Sequence, residues 1–557
     1  MRLPATLHDP ESGTITTVGI VLLGLTAAML LSPLLIFPHG PDASLFFVAG
    51  EKIVHQGAVH YRDIVDVKPP LIYYFNALAI VLFGDGPGSA NLLDYLVQLA
   101  ASMAIFVVVR RASGNDRWGM VAALLYPILY IGVSAQGTIQ TESMVAAILF
   151  SALGIYFGDR SVGRFALIGA LCMVALFFKF TLGVLLIGIL LGDLLLVRDS
   201  IRSRLRLYSG VAAGAGLVVL LFLLYLTLFD AWTGFNQMRV WTAGYAGMQF
   251  ASISSFVATI LREVPVKLAD EYSLTMLIGT IVAMWSAFRS PLVESSELER
   301  GDRSRSDRGG LLLGHLSIQF LLLLATVAIE GKWMHYHVMR FYGPGAVLAA
   351  FGLLYIVDRL RQLPNRRQYW LVIPLSAFLL LGLSPLSRYI FHARPALAMI
   401  DGGVGAYDDY YGERLSGNGW SYREIDRVGG NIREALGPGE KVHIISGVAA
   451  LLYRSIGQVP ESSVFHSGFV IAPYAPEEWR EETKEYILEE RPRFVVLQTN
   501  DEMPLITTVD STSWQTVMAW PEVGRRLRED YRMVDSTNSF VVLERTDDRE
   551  ARYRDHE

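Results

Sequence analysis

The sequence predicts a polytopic, all-α membrane domain of about 11 transmembrane helices, followed by an extracytoplasmic α/β domain. Of the 557 residues, 52% are hydrophobic and only 18% are charged, which is too apolar for an ordinary soluble protein of this size. Apolar runs of about 17–25 residues recur through the first two thirds, and each is long enough to cross a hydrocarbon core of roughly 30 Å. From about Arg394 the composition becomes that of a soluble protein. We therefore expect a membrane domain over residues 1–392 and a soluble domain over residues 393–557.

The basic residues predict the orientation of the helices. Every second connection between predicted spans is rich in arginine, as in Arg198–Arg206 and Glu299–Arg308. Cytoplasmic connections carry such an excess, so the first loop (38–87) and the C-terminal domain are expected outside. We expect a multi-pass protein of the plasma (inner) membrane with a periplasmic C-terminal domain. The predicted spans are 15–37, 88–109, 118–135, 141–158, 164–180, 182–197, 208–229, 272–288, 311–329, 338–357 and 370–390.

The C-terminal region combines short apolar runs with one amphipathic stretch. Lys441–Gly447, Arg493–Asn500 and Ser539–Arg545 are typical of buried strands, and Glu477–Glu490 is typical of a helix between them. This alternation predicts a small α/β domain with a largely parallel sheet. The region has no Gly-x-Gly-x-x-Gly turn and no P-loop, so we expect neither nucleotide binding nor a nucleic-acid partner. The single cysteine, Cys172, excludes an internal disulfide framework.

Two charged residues of the first outer loop are candidates for chemistry. Asp42 follows Gly40-Pro41, which suits the start of a helix. A carboxylate at the outer membrane face is equally placed to act as a general base toward an acceptor hydroxyl, or to help hold a cation. Lys68 precedes two prolines that stiffen the backbone. It is either a lysine that snorkels to the membrane surface or a point charge that binds a lipid phosphate.

Two further charged residues lie at the outer ends of later spans. Glu142 opens the fourth span, where an acid stabilises a helix N-terminus. Alternatively, it pairs with Asp42 across a metal or an acceptor. Lys179 lies at the break between two apolar runs, and a lysine there costs free energy unless it reaches water or a partner. We therefore expect Lys179 to have a functional role, such as reaching a phosphate.

The segment Gly331–Phe341 is also expected on the outer side. Its two histidines, His335 and His337, are separated by one residue and point to different faces of a helix, which disfavours a dinuclear metal site. At least one of them is expected to pack structurally. The other could line a pocket that binds an anion, together with Lys332 and Arg340.

These features together resemble the GT-C superfamily of membrane glycosyltransferases. The branch that they resemble contains protein O-mannosyltransferases, lipid A aminoarabinose transferases and bacterial enzymes that use polyprenyl-linked sugars. The resemblance rests on the acid after the first span (Asp42), the Tyr-Arg-Asp to Lys-Pro-Pro run (Tyr61–Tyr74), the end of an apolar run (Phe178–Gly183), Gly-Lys followed by His-Tyr (Gly331–Tyr336) and the C-terminal pattern Tyr422–Gly447.

The resemblance implies an inverting hexosyl- or pentosyltransferase that works on the outer face of the membrane. Its sugar would come from a polyprenyl-phosphate donor, the co-substrate, because nucleotide sugars are not available outside. The acceptor would be a lipid, glycan or protein, and membrane lipids would surround the helices. Asp42 would be the catalytic base, and the donor phosphate would be bound by Lys68, Lys179, Lys332, His335 and Arg340.

Other positions take their expected roles from the same resemblance. Tyr61, Asp63 and Tyr73 would form the acceptor side of the first loop. Glu142 falls near a second acidic position, as a second acid or as a ligand of a possible divalent cation. Alanine follows Asp42 where many relatives carry a second acid. This difference favours a single-carboxylate base over a metal bound at Asp42. A divalent cation with Glu142 as a ligand is the one candidate cofactor.

Two other classes of protein compete with this interpretation. A transporter or flippase for a lipid-linked glycan predicts charged residues deep in several spans and an inverted repeat, neither of which the sequence indicates. A non-catalytic membrane scaffold with an outer binding domain would leave the composition of the first loop unexplained.

Overall fold

The computed structural model describes residues 16–247, 253–290, 292–294, 305–331, 333–361, 385–414 and 420–546, most of which are helical. Short 3₁₀ turns, such as Thr141–Met144 and His335–Phe341, link several helices. Strands β1 (Val197–Arg198) and β2 (Val293–Glu294) form a small parallel pair. The helices before the C-terminal segment are α1 (Thr17–Leu31), α2 (Pro41–Gln56), α3 (Leu71–Phe83), α4 (Gly88–Ser113), α5 (Asp116–Ile131), α6 (Val145–Tyr156), α7 (Val162–Phe178), α8 (Val184–Leu196), α9 (Ile201–Leu228), α10 (Trp232–Gly247), α11 (Ile253–Lys267), α12 (Leu274–Phe288), α13 (Arg305–Glu330), α14 (Tyr342–Arg361) and α15 (Pro385–Arg414).

The described residues contain five helical stretches that are long and apolar enough to cross a membrane, and the chain is an integral membrane protein. They are Thr17–Ile36, Gly88–Ser113, Ile201–Leu228, Asp307–Glu330 and His335–Leu360. The bent pair Phe256–Asp270 and Leu274–Phe288, with 110° between its halves, makes a sixth if it is one span.

The expected number of 11 spans is matched only in part. The stretches predicted at 141–158, 164–180 and 182–197 correspond to shorter apolar helices, Thr141–Tyr156, Val162–Phe178 and Phe180–Leu196. The stretch predicted at 370–390 lies mostly outside the described residues. Length therefore separates the clear spans from the shorter helices that pack among them.

The predicted first loop, 38–87, is largely helical. Helix α2 begins at Pro41, whose fixed φ suits a first helical turn, and ends at Gln56, before the capping residue Gly57, which has a φ of 65°. Helix α3 follows, and its 13 largely apolar residues are too few to be predicted as a span. The two helices pack closely at Gly50, where a Cβ would lie 2.9 Å from the backbone nitrogen of Ala77. This close approach fixes α2 against α3.

The C-terminal segment contains a four-stranded sheet in the order β3-β4-β6-β5. Only β3 and β4 are parallel, whereas β6 is antiparallel to both β4 and β5, so the prediction of a largely parallel sheet is wrong. The reason is that β5 and β6 are joined by a short connection, which permits only an antiparallel pair. The strands are β3 (Val442–Ile445), β4 (Phe494–Gln498), β5 (Tyr531–Ser536) and β6 (Phe540–Arg545), and the helices are α16 (Tyr422–Ala435), α17 (Ala449–Ile456), α18 (Gly468–Ile471), α19 (Glu477–Glu485), α20 (Pro504–Thr507), α21 (Ser513–Ala519) and α22 (Pro521–Asp530).

The C-terminal segment packs directly on the first loop. Leu45 and Val48 of α2 belong to the same buried apolar cluster as the residues of α16, α17 and the sheet. The Lys52 ammonium group donates hydrogen bonds to the backbone carbonyls of Glu461, at 3.0 Å, and Ser462, at 2.8 Å. Helix α2 is thus held between the membrane helices and the sheet, and its first turn faces the space between them.

Candidate active site

A cavity of about 490 Å³ lies between the first loop, one end of the membrane helices and the C-terminal segment. This volume is in the range of ordinary small-molecule sites. The first loop contributes Asp42 and Lys68, the membrane helices and their connections contribute Lys179 and Glu330, and the C-terminal segment contributes His466. Aromatic residues cover much of the remaining wall: Phe46, Phe180, Trp241, Tyr245, Tyr336, Trp420 and Phe469.

Asp42 and Lys68 meet in this cavity. Asp42 lies in the first turn of α2, and its Oδ2 is 3.8 Å from the Lys68 Nζ. The Tyr336 hydroxyl also interacts with the Asp42 carboxylate. About a third of the Asp42 side chain (34%) is exposed, against 16% for Lys68. Asp42 is therefore open to a ligand in the cavity while it is held beside a cation.

The chain around Lys68 fixes the direction of its side chain. The Asp66 Oδ1 accepts hydrogen bonds from the backbone nitrogens of Val67, at 2.5 Å, and Lys68, at 3.3 Å. The Lys68 ammonium lies 5.1 Å from the centre of the Phe46 ring. Burial lowers the pKa of Lys68, but Asp42 and nearby carboxylates outweigh burial and raise that pKa above its ordinary value. Lys68 therefore keeps its positive charge at neutral pH.

A second cluster of four charges lies beside the first pair. The Lys179 Nζ is 2.6 Å from Glu142 and 2.9 Å from Glu330. The Arg340 guanidinium is 2.8 Å from Glu142 and 2.5 Å from Glu330. Glu330 also accepts a hydrogen bond from the Thr181 hydroxyl at 2.6 Å. Two carboxylates and two cations balance one another in this buried cluster.

These contacts differ from the pairing that we expected for Glu142. Glu142 pairs with Lys179 and Arg340, and Asp42 pairs with Lys68, whereas a pairing of Glu142 with Asp42 was one sequence-based alternative. The Arg340 side chain is fully buried and is not part of the cavity wall. Arg340 therefore acts on the cavity through Glu330, which does line it.

The other expected phosphate ligands are placed differently. Lys68 and Lys179 both line the cavity. His335 is exposed and lies outside the wall, whereas its neighbour His337 is buried and lines the cavity, with its Nε2 3.6 Å from Glu330. Lys332 lies outside the described residues. Of the two histidines of this segment, His337 is the one that reaches the site.

Tyr61, Asp63 and Tyr73 shape the first loop without lining the cavity. The Tyr61 hydroxyl donates to the backbone carbonyl of Lys68 at 3.3 Å, and Tyr61 takes a left-handed backbone conformation with a φ of 73°. The Tyr73 ring stacks on the His60 ring at 4.2 Å. Asp63 accepts a hydrogen bond from the Val59 backbone nitrogen at 2.8 Å. The three residues expected at the acceptor thus support the backbone that carries Lys68.

Three residues of the site were not among the sequence candidates. Glu330 was missed although an acid at the outer end of a predicted span is a recognisable signal. Asp66, two residues before Lys68, accepts hydrogen bonds from the backbone rather than contacting the cation, a role that no sequence pattern marks. His466 belongs to the C-terminal segment, and nothing in its local sequence links it to the first loop.

The second cluster also contains the groups best suited to a divalent cation. Single ligand atoms of Glu142, Glu330 and His337 all lie within 4.8 Å of one another, and carboxylate and imidazole are ordinary metal ligands. Their spacing is compatible with a divalent cation. Both carboxylates already pair with Lys179 and Arg340. An added metal ion would therefore compete with an ammonium group and a guanidinium group for the same oxygens.

Comparisons with solved structures decide the fold. The chain is similar to ArnT from Cupriavidus metallidurans, solved bound to undecaprenyl phosphate, with a TM-score of 0.56 over 95% of this chain and 98% of that one, at 15% identity. The chain has the GT-C fold. The apo oligosaccharyltransferase of Archaeoglobus fulgidus has this fold as well, with a TM-score of 0.50 over 87% of this chain and 70% of that one, at 14% identity. The GT-C fold that the sequence resemblance implied is thereby confirmed.

Sequence comparison supports the same assignment. The family described as dolichyl-phosphate-mannose-protein mannosyltransferase matches residues 67–228, which begin just before Lys68 and continue through the GT-C fold to the end of α9. An uncharacterized protein of Aquifex aeolicus (strain VF5) is 27% identical over 126 residues, which are 22% of this chain and 29% of that protein. The matched family segment includes Lys68, Glu142 and Lys179, the charged residues that this part of the chain contributes to the two clusters.

Proposed function

We propose that the chain is a glycosyltransferase that moves a sugar from a polyprenyl-phosphate donor to an acceptor hydroxyl. Asp42 is the general base, and Lys68 binds the donor phosphate. One observation carries the proposal: the Asp42 carboxylate and the Lys68 ammonium lie 3.8 Å apart in the wall of one cavity. The undecaprenyl phosphate in the related ArnT structure and the match to a dolichyl-phosphate-mannose family support this choice of donor.

The transfer is a single displacement. The acceptor oxygen forms a bond to the anomeric carbon of the sugar while the bond between that carbon and the phosphate oxygen breaks. The electron pair of the broken bond stays on the phosphate, which leaves as polyprenyl phosphate, and the acceptor proton passes to Asp42. Because the acceptor attacks from the side opposite the phosphate, the anomeric configuration is inverted.

Lys68 and Asp42 exchange partners when the donor binds. In the free protein the Lys68 ammonium is paired with Asp42. A donor phosphate near Lys68 offers a more strongly charged partner and releases the Asp42 carboxylate to accept the acceptor proton. Lys68 then stabilises the charge that grows on the leaving phosphate. The order of events makes the base available only when a donor is present.

The second cluster holds Lys179 at the cavity without making it a base. Glu142 and Glu330 fix the Lys179 ammonium group from two sides, and Arg340 fixes the two carboxylates in turn. The charges of the cluster balance one another, and the Lys179 ammonium is its positive group in the cavity wall. Lys68 and Lys179 together supply the cations that a lipid phosphate needs, so donor binding does not depend on a divalent metal.

The remaining cavity surface supports a sugar or another amphipathic acceptor. Aromatic faces such as those of Trp241 and Trp420 suit the apolar side of a sugar ring, and the carboxylates suit its hydroxyls. We propose that the acceptor is a lipid, glycan or protein hydroxyl at the outer face of the plasma membrane. The arginine-rich connections on the opposite side of the predicted spans support this orientation.

The test is transfer by the purified protein. The protein is incubated with a panel of polyprenyl-phosphate hexoses and pentoses and with lipid, glycan and peptide acceptors. We expect transfer by the wild type and a loss of about 10²–10⁴-fold in Asp42→Asn. Asp85→Asn is the matched control, because Asp85 is in the same loop but is 67% exposed and lies outside the cavity wall. Equal transfer by Asp42→Asn and the wild type would exclude Asp42 as the base.

A further inference from the structure

One wall of the cavity comes from the C-terminal segment, far along the chain from Asp42 and Lys68. Its polar residues include His466, Gln498 and Asp501. The Gln498 Oε1 accepts hydrogen bonds from the Ser446 hydroxyl, at 2.5 Å, and the Gly447 backbone nitrogen, at 3.1 Å. These bonds use Gln498 to fix the loop that follows β3. These hydrogen bonds hold this wall of the cavity in a fixed position.

Asp501 has a similar structural role. Its Oδ1 accepts from the Ser513 backbone nitrogen at 2.8 Å, and its Oδ2 accepts from the Ser513 hydroxyl at 2.5 Å. Both carboxylate oxygens are thus engaged in starting helix α21. The Gln498 Nε2 donates a hydrogen bond to the Asn500 Oδ1 at 3.1 Å, and Glu502, a fourth polar residue of this wall, is a carboxylate that repels an anion. His466 is therefore the residue of this wall best suited to contact an anion.

The hydrogen bonds of His466 fix which nitrogen carries the proton. The Nδ1 atom accepts a hydrogen bond from the Gly468 backbone nitrogen at 3.1 Å. A neutral imidazole that accepts at Nδ1 carries its proton on Nε2. Within the described part of the chain, Nε2 has no hydrogen-bond partner, and the ring is held by its packing on Phe469 at 5.4 Å. His466 therefore offers one oriented N–H donor at the cavity.

The charges around His466 come from the proposed catalytic pair. Burial is the main effect on the pKa of His466 and lowers it, the Asp42 carboxylate raises it, and the Lys68 ammonium lowers it again, with a net decrease. The imidazole is therefore neutral at pH 7. His466, Asp42 and Lys68 all line the same cavity, so a group bound there faces all three side chains.

We propose that the His466 Nε2–H donates a hydrogen bond to the donor phosphate that Lys68 binds, so that the C-terminal segment completes the phosphate site. This inference rests on the proposed function. The bond strengthens as the breaking bond places more charge on the phosphate, and such charge-assisted hydrogen bonds are the stronger ones. Through this hydrogen bond, the C-terminal segment takes part in catalysis in addition to enclosing the cavity.

Two amide substitutions separate this role from a structural one. In His466→Gln the amide nitrogen takes a position near that of Nε2 and preserves the donor, but the acceptor for Gly468 is lost. In His466→Asn the amide oxygen takes a position near that of Nδ1 and preserves the contact with Gly468, but the donor is lost. A structural role and a phosphate-binding role thus predict opposite orders of activity for the two variants.

The experiment measures polyprenyl-phosphate binding and sugar transfer for the full-length wild type and both variants. We expect His466→Asn to weaken polyprenyl-phosphate binding and to lower kcat/KM for the donor by about 10–100-fold, with little change in KM for the acceptor. His466→Gln is expected to stay within about threefold of the wild type, because one N–H donor remains.

Several outcomes would overturn the inference. They are wild-type binding and transfer by His466→Asn, a loss in His466→Gln as large as that in His466→Asn, and an effect confined to the acceptor KM. The wild type is measured first. A wild type that neither binds polyprenyl phosphate nor transfers sugar would remove the proposed function itself, so the two failures are distinguishable.

Discussion

The Lys68 Nζ lies 3.8 Å from the Asp42 Oδ2, and both side chains face the same cavity. Each residue comes from a different part of the first loop, and the packing of α2 against α3 brings them together. The pair places a carboxylate able to take a proton beside a cation able to hold a phosphate. The predictions below follow from this pair and from the contacts that support it.

Removal of the Lys68 charge should weaken donor binding more than it affects folding. Lys68→Ala leaves the phosphate without its nearest proposed cation, and we expect the dissociation constant for polyprenyl phosphate to rise by about 10–100-fold. The measurement is a binding titration in detergent. Lys441→Ala is the matched control, because Lys441 pairs with exposed Glu461 and Glu490 and none of the three lines the cavity. Unchanged affinity in Lys68→Ala would exclude the phosphate role.

The second cluster should contribute mainly to stability. Glu330→Gln leaves two buried cations, Lys179 and Arg340, with Glu142 as their one charged partner in the described part of the chain. Breaking a buried ion pair from one side costs about 3–5 kcal/mol. We expect a clear decrease in the thermal unfolding midpoint of the purified protein. If Glu330→Gln unfolds at the wild-type temperature, the cluster does not hold the fold together as its contacts indicate.

Transfer should persist when divalent metals are removed. Lys68 and Lys179 supply the positive charge near the phosphate position, and the carboxylates that could bind a metal already pair with Lys179 and Arg340. We expect equal initial rates before and after treatment with EDTA. A loss of transfer that Mg²⁺, Mn²⁺ or Zn²⁺ restores would show instead that transfer requires a metal ion, for which Glu142, Glu330 and His337 are the candidate ligands.

Glu51 should make the stability of the protein depend on pH. Burial raises the pKa of Glu51 to about 7, although Arg454 and His55 lower it. The folded state therefore binds more protons than the unfolded state between about pH 4.5 and 7, and this residue reduces stability as pH rises through that window. We expect Glu51→Gln to raise the unfolding midpoint relative to the wild type at pH 8 and to leave it unchanged at pH 4.5. A difference of equal size at both pH values would contradict this assignment.

Local patterns were enough to find the two main residues of the site. Asp42 follows Gly40-Pro41 and Lys68 precedes two prolines, and each pattern fixes the backbone over a few residues. The partners of these residues could not be found in the same way. The pairing of Glu142 with Lys179 and Arg340 depends on the packing of helices that are far apart in the sequence, and no local pattern records it.

The fold shows the same limit. Helix α3 was predicted as loop, because its 13 residues fall below the length expected for a span. Strand β5 was not predicted, since it has one exposed face and lies at the edge of the sheet, and without it the sheet was expected to be largely parallel. His466 shares a cavity with Asp42 only because the C-terminal segment packs on α2.

The most direct test of the central claim is a single-turnover measurement with Asp42→Asn. The donor is bound first, its affinity is measured, and the acceptor is then added in excess. We expect Asp42→Asn to bind the donor at least as tightly as the wild type, because Lys68 is released from its carboxylate partner, and to transfer sugar about 10²–10⁴-fold more slowly. Transfer at the wild-type rate from the bound donor would contradict the role of Asp42 as the base.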